Sequence, residues 1–403
     1  MAPPTAYNKL KREFMKITNV QGIALRCECE PISDALSTST SRQALLVRID
    51  TDTEIYGIGE AFTFGAPLPV MKYLVEHELG PMIIGSDPKK TGELWNRMYM
   101  RSLAHGRRGI LMGAISGIDI ALWDLLGKAA HLPVVKLLGQ HYDKVPTYAS
   151  AGFYAPGKGL DGLKREFEHY RRMGYRDAKL KIGRYLTRIT QPLNAIGDRD
   201  NTIDPEEDYR RIETVRSVMG DGRLLADTNA TWDARTVLAR GHELVRLGVC
   251  WLEEPLPFED CEGYRRIVSA IPELSIIGCE TQQGPDAFAE MIRQGMLDIV
   301  QADIGWAGGY SACVQIGHFA ALSGRKVSLH CFGSAVLFAA SLHLAASMQN
   351  MEMLESEENP NPLKSEMLTE PLQADKDMNF YVPHRPGLGI TVDFAKIEKY
   401  IVR

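Results

Sequence analysis

From about residue 142 onward, short apolar runs alternate with longer stretches of helical periodicity, and nearly every run ends on an ionisable residue. LLA precedes Asp227, VCWL precedes Glu253, SIIGC precedes Glu280, DIVQA precedes Asp303, KVSL precedes His330 and MEML precedes Glu355. Upstream, DAKLKIG places Lys179 and Lys181 at the end of one more run. Successive members of the first six stand roughly 25 residues apart, about the length of one strand–helix unit in a parallel barrel. Strict alternation of this kind predicts parallel β/α units over residues 142–371.

The first part of the chain has a different pattern. Residues 15–62 alternate apolar and polar positions, as in ITNVQGIALRCECE and QALLVRIDTDTEIYGIGEA, which predicts an antiparallel meander with a turn at 50–53. PISDALSTSTSR, polar and small, reads as a surface loop between its first two strands. Helical patterning then runs from about residue 68 to 138; Ile115, Ile118, Leu122 and Leu126 recur at helical spacing and Pro133 interrupts it. Residues 1–141 are therefore expected to form an α+β domain, and residues 372–403, which break the barrel alternation, to return to it. The interval from Lys181 to Asp227 is longer than the others. Its excess, RYLTRITQPLNAIGDRDNTIDPEED, is expected to be an inserted loop on the active-site face.

Composition narrows the class. The chain has 403 residues, 45% hydrophobic and 24% charged, with net charge −5 and no long basic run. Nucleic acid and membrane are not expected partners. Seven cysteines without a CxxC pair, four of them (Cys250, Cys279, Cys313, Cys331) inside apolar runs, suit buried free thiols in a reducing compartment; Cys27 and Cys29 alone make a poor zinc site. MAPPTAYNKLKREF lacks the apolar core of a signal peptide, and the apolar stretch at 335–348 is too short and too rich in Ser and His to span a membrane. The protein is expected in the cytoplasm.

A charge at the tip of a buried strand is costly unless paired or bound to metal, so its repetition calls for one shared site. Asp227, Glu253 and Glu280, from three consecutive strand ends, form an all-oxygen set suited to Mg²⁺. Any one of them alone would more often be a helix cap or salt bridge. In WLEEP, Glu253 and Glu254 point to opposite faces, so only one can look into a barrel mouth. Lys179 and Lys181 share a strand face, where like charges lower a lysine pKa toward what a general base needs. His330 follows a strand and Asp303 ends the preceding one, so the carboxylate can fix the imidazole tautomer. His318 and His343, inside helical patterns, read as satisfied core residues. Glu355 would have to be a protonated acid to help an oxyanion, and Glu357 and Glu358 read as solvated. GWAGGY at 305–310 lacks phosphate-loop spacing and reads as a tight turn into a helix.

The order of these residues resembles the enolase superfamily, and within it the mandelate racemase subgroup. That subgroup carries K-x-K on the second barrel strand, three acidic Mg²⁺ ligands on the next three, a His–Asp dyad from the seventh and sixth, and a glutamate on the eighth. Here the motifs read KLK (Lys179, Lys181), ADTN (Asp227), LEEP (Glu253, the first glutamate by analogy), CET (Glu280), QAD (Asp303), LHCFG (His330) and LES (Glu355). GAISGIDIALWDLLGKA at 113–129 is similar to the family's N-terminal text, so the resemblance covers nearly the whole chain. It implies an α/β fold, a (β/α)7β modified TIM barrel with an α+β capping domain, and removal of the α-proton of a carboxylate to give a Mg²⁺-stabilised enediolate. Lys181 and His330 would stand on opposite faces of the substrate. Lys179 and Glu355 would contact it, with Asn229 and Ser150 as further substrate-binding candidates. The resemblance also implies a homo-oligomer.

Among functions, dehydration of a sugar acid (an aldonate or aldarate) to a 2-keto-3-deoxy acid leads, by analogy with the family. Two opposed bases serve racemisation or epimerisation equally, and cycloisomerisation of an acid-sugar lactone is third. A non-catalytic Mg²⁺-binding relative would be signalled by a missing base or ligand, and none is missing. Ser37, Ser39, Ser41, Arg42, Arg184, Tyr185 and Arg188 suit a hydroxylated substrate or an ordinary surface.

Overall fold

The computed structural model describes residues 15–184 and 206–402, so most of the expected inserted loop lies outside the described residues. An antiparallel sheet comes first: β1 (Ile17–Ser33), β2 (Thr38–Thr51) and β3 (Tyr56–Ala61), paired in that order. The Ser/Thr-rich segment is not the expected loop. Strand pairing continues to Ser33↔Thr38, leaving only a tight tip at 34–37, where Asp34 accepts from the amides of Leu36 and Ser37. Polar strands persist there because the tip docks on the barrel: Ser33 and Tyr154 exchange backbone hydrogen bonds of 2.7 and 2.8 Å.

The helices Leu68–Tyr73 and Ile110–Ala130 cover this sheet, with Thr91–Gly106 packed outside on Ile110–Ala130. β3 lies directly on Ile110–Ala130, because Gly57 and Gly59 have no side chain; a Cβ at either would sit 2.2 Å from the Ala121 carbonyl oxygen or 2.3 Å from that of Gly117. Among the described residues Ile110–Ala130, not the stretch at 335–348, is the helix long and apolar enough to cross a membrane, with mean hydropathy 1.6 over its most apolar window. Its apolar window is 83% buried, so the composition that suits a bilayer here fills a protein core.

After β4 (Lys144–Val145), eight parallel strands close a barrel in sequence order: β5 (Thr147–Ala151), β6 (Ala178–Lys181), β7 (Leu224–Asp227), β8 (Val249–Glu253), β9 (Ser275–Gly278), β10 (Ile299–Val300), β11 (Lys326–Leu329) and β12 (Met351–Glu357). Each of the first seven is followed by a helix of nine or more residues, and β12 only by the short turn Pro362–Ser365, which is a (β/α)7β barrel. The chain then runs back through β13 (Phe380–Tyr381), paired with β4, and ends with the Val402 amide on the Ala24 carbonyl of the capping sheet.

Tyr148, Leu225, Trp251, Ile277, Ile299 and Met353 pack together as the barrel's inner layer. Side chains alternate along a strand, so the residue two positions on from each of these points toward the C-terminal mouth. That rule carries Ser150, Asp227, Glu253, Gln301 and Glu355 into the mouth, and one more step along from Gln301 carries Asp303. It also separates Glu253 from Glu254. β9 departs from the period: it ends at Gly278, and Cys279 takes φ 85°, which re-aims the chain so that Glu280 is the residue delivered.

His343 behaves as the core residue expected. It sits in the buried helix Ala335–Ala346, accepts from the Val135 amide at Nδ1 (3.1 Å) and pairs Nε2 with the Leu388 carbonyl at 3.1 Å. His318, by contrast, is exposed. Burial pushes His343 down to about 4. An unfolded histidine titrates near 6.5, so between those values the unfolded state binds the extra proton and stability falls as pH falls. The contribution is fully present above about pH 6.5, and roughly 3 kcal/mol should be lost by pH 4. Chemical denaturation across that window should record the loss, and His343→Gln should remove it from the pH profile.

Candidate active site

The carboxylates of Asp227, Glu253 and Glu280 offer oxygens that all lie within 4.8 Å of one another, and all three residues are buried. Glu280 Oε2 has no hydrogen-bond partner among the described residues, although His330 Nε2 is 3.4 Å away. Three converging carboxylates, one with a buried unpaired oxygen, fit a hard divalent cation with oxygen coordination. Glu253 is braced from both sides: Lys179 Nζ donates to Oε1 at 2.5 Å and Gln301 Nε2 to Oε2 at 2.8 Å.

Lys179 is 1% exposed and bridges Glu253 to Glu355 Oε1, the latter at 2.8 Å. Lys181 donates to Asp227 and reaches the cavity. The expected lowering of its pKa is reversed. Burial and the Lys179 charge both push it down, but Asp227, with Glu280 and Glu253, outweighs them and holds it above the ordinary lysine value. The expectation considered only charges on the same strand, whereas the dominant ones come from β7, β8 and the end of β9.

His330 Nδ1 pairs with Asp303 Oδ2 at 2.6 Å, and its Nε2 faces Glu280 and, at 3.7 Å, Glu355. Burial opposes its charge, but Glu280, Glu355 and Asp303 raise it to about 10. Glu355 is not the protonated acid expected. Burial acts to raise it, yet Lys179 and then His330 hold it at about 2, and its Oε2 accepts from the Cys331 amide at 3.2 Å.

Asn229 is not on the strand face. It follows the end of β7 with φ 47°, donates its amide to Asp227 Oδ1 at 2.8 Å and lines the cavity, with its Oδ1 buried and unpaired among the described residues. Ser150 is buried with no partner for Oγ among the described residues. Glu254, with φ 39°, is buried as well, and burial followed by the Glu280 charge pushes its carboxyl well up. Glu357, expected in solvent, is buried and ion-paired with Arg42 at 2.9 Å; Glu358 accepts from the Tyr175 hydroxyl and Lys364. Arg42 on the capping hairpin accompanies Glu357 out of water, and Tyr175 and Lys364 half-bury Glu358.

A cavity of about 410 Å³ lies over this floor. Lys181, Asn229, Glu280 and His330 line it from the barrel, and Ser37, Ser39, Ser41, Arg42 and Phe64 from the capping domain. Arg42 Nη1 is buried without a partner among the described residues, whereas its other nitrogens hold Glu357 and the Pro360 carbonyl. Arg184 packs on the Tyr154 ring; Tyr185 and Arg188 lie outside the described residues. The sequence reading missed Gln301, Phe62 and Phe64, although Gln301 shares a strand face with Asp303 and could have been found by period.

Residues 17–139 match the model of the mandelate racemase / muconate lactonizing enzyme N-terminal domain, and residues 162–396 that of the enolase C-terminal domain-like family. An arabinonate dehydratase of Saccharolobus solfataricus is 32% identical over 89% of this chain and 90% of its own length. A D-galactarolactone cycloisomerase of Agrobacterium fabrum is 29% identical over 96% and 99%. Among solved structures, a racemase from Streptomyces coelicolor with bound magnesium superposes with TM-score 0.84 at 25% identity, covering 96% of this chain and all of its own.

Proposed function

The chain belongs to the mandelate racemase and muconate lactonizing enzyme family of the enolase superfamily, and from that premise we propose that it is a Mg²⁺-dependent sugar-acid dehydratase acting through an enediolate. One observation carries the reading: Lys181 and His330 open on the same cavity, beside Glu280 and beneath a hydroxyl- and guanidinium-lined hairpin. Around the barrel ring, β7 to β10 separate β6 from β11 on one side, and β12 and β5 on the other. The two bases therefore address a substrate from different sides.

Asp227, Glu253 and Glu280 would hold the metal. Bound there, Mg²⁺ would offset the negative charge of the acid cluster and of a substrate carboxylate, and draw the pKa values of Lys181 and His330 down toward the working range. One of these residues then removes the proton next to the carboxylate. The opposite one gives its proton to the β-hydroxyl, which leaves as water, and the resulting enol becomes a 2-keto-3-deoxy acid. Asp303 fixes the imidazole orientation, Lys179 and Glu355 contact the carboxylate end as it binds, and Asn229 and Ser150 supply further polar contacts. Arg42 suits the far end of a polyhydroxylated acid, because its Nη1 is a desolvated donor with no partner among the described residues.

Incubation with a panel of aldonates and aldarates, trapping 2-keto acids with semicarbazide, tests the reading. Keto product is the expected result. α-Proton exchange in D₂O with no keto product would replace it with racemisation or epimerisation, and ring opening of a lactone with cycloisomerisation, a reading that the Agrobacterium relative favours. We further propose a cytoplasmic homo-oligomer without nucleic-acid or membrane partners; the seven free cysteines support a reducing compartment.

A further inference from the structure

We infer that Glu60, on the last strand of the capping sheet, is a positioning residue for the Asp303–His330 pair; the inference rests on the reading of His330 as a base. The helix Ala335–Ala346 starts shortly after His330, and the first amides of any helix lack partners within it. Ser334 caps one of them, its Oγ accepting from Val336 at 3.1 Å. Glu60 takes another, accepting from the Leu337 amide at 2.9 Å, and holds the cap residue itself, accepting from the Ser334 amide at 2.9 Å and from the Ser334 hydroxyl. It is 1% exposed and lies 274 residues away in sequence. Gly333 is required for this approach, since a Cβ there would sit 2.7 Å from Glu60 Oε1.

The same strand end reaches the other half of the pair. The Phe62 amide donates to the Gly305 carbonyl at 3.0 Å, just past Asp303, and the Gly305 amide donates to Asp303 Oδ1 at 2.7 Å. The Phe62 ring lies 5.5 Å from the His330 ring, and Phe64 stacks on it at 5.8 Å and 14°. Asp119, on the capping helix, does for the helix after Asp303 what Glu60 does for the one after His330. It accepts from the Ser311 amide and hydroxyl at 2.9 and 2.7 Å, where Gly308 at the N-cap has no side chain to offer. The helices after β7 and β8, which follow metal-facing acids, carry their own caps in Asp233 and Asp260. The helix after Asp303 takes its cap from the other domain, and the helix after His330 adds a carboxylate from that domain to its own Ser334 cap. Glu60 thus ties the placement of the imidazole to the seating of the capping domain.

Site-resolved carbethoxylation by diethyl pyrocarbonate tests this on the whole Mg²⁺-loaded protein without a substrate, with exposed His318 as internal reference. Glu60→Ala should label His330 about fivefold faster relative to His318, whereas Glu60→Gln, which keeps one acceptor oxygen but turns an NH2 toward one of the two amides, should fall between Glu60→Ala and wild type. On any substrate turned over, Glu60→Ala should lower kcat about tenfold with KM unchanged, and Glu60→Gln, with one of the two acceptors kept, should recover part of that loss. If Glu60→Ala does not fold, Glu60→Asp, which withdraws the carboxylate by one methylene, takes its place. Unchanged His330 labelling in a folded Glu60→Ala or Glu60→Asp protein overturns the inference. Labelling that responds while no sugar acid is turned over leaves the positioning standing and removes the proposed function.

Discussion

Lys181→Ala and His330→Asn should each lower kcat by about 10³-fold or more while Mg²⁺ binding persists. Dehydration requires a base on one side of the substrate and an acid on the other, so removing either group stops the sequence at a different point. A variant lacking the residue that removes the proton cannot start. A variant lacking the opposite one can still exchange the α-proton with solvent, and deuterium incorporation in D₂O identifies which residue acts first. Metal affinity moves the other way for Lys181, because its ammonium occupies Asp227 and competes with a cation for that carboxylate. Lys181→Ala should therefore bind Mg²⁺ as tightly as wild type or more so by calorimetry. Near wild-type rates in both variants would show that the bases are misassigned.

How much of this was legible in the sequence follows from the geometry of strands. Apart from the run before Glu280, where Cys279 breaks the period, an apolar run ending on an ionisable residue marks a strand and the side facing the mouth, because the two-residue period of a strand leaves no freedom between Trp251 and Glu253 or between Met353 and Glu355. Electrostatics was less legible. The Lys179–Lys181 pair suggested a depressed pKa, yet the charges that decide it belong to Asp227, Glu253 and Glu280 on other elements. Capping-domain contributions were hidden for a related reason. Arg42 meets Glu357 across 315 residues and Glu60 meets Ser334 across 274, and neither local propensity nor periodicity reports such pairs. The Ser/Thr-rich hairpin read as a loop because the partner that stabilises its polar strands, the barrel at Tyr154, is also distant in sequence.

Glu280→Gln should abolish both the response to Mg²⁺ and turnover without unfolding the protein. Asp227, Glu253 and Glu280 crowd three carboxylates into one buried site, and Glu280 Oε2 has no hydrogen bond to lose among the described residues. An amide of the same size removes one negative charge from that cluster, so the metal-free variant should melt at the wild-type temperature or above it. Wild type gains about 2.7 kcal/mol from Mg²⁺ at a hundred times its Kd, which for a chain of this length raises the melting temperature by several degrees. The variant should show almost none of that rise, because a neutral oxygen replaces one of three charged ligands. Activity should fall by about 10³-fold, since the metal is worth several kcal/mol to the developing charge. EDTA should likewise silence wild type, with Mg²⁺ restoring it but failing to restore Glu280→Gln. A variant that kept both its thermal response and its rate would remove Glu280 from the metal site and leave Asp227 and Glu253 too few acids to hold the ion alone.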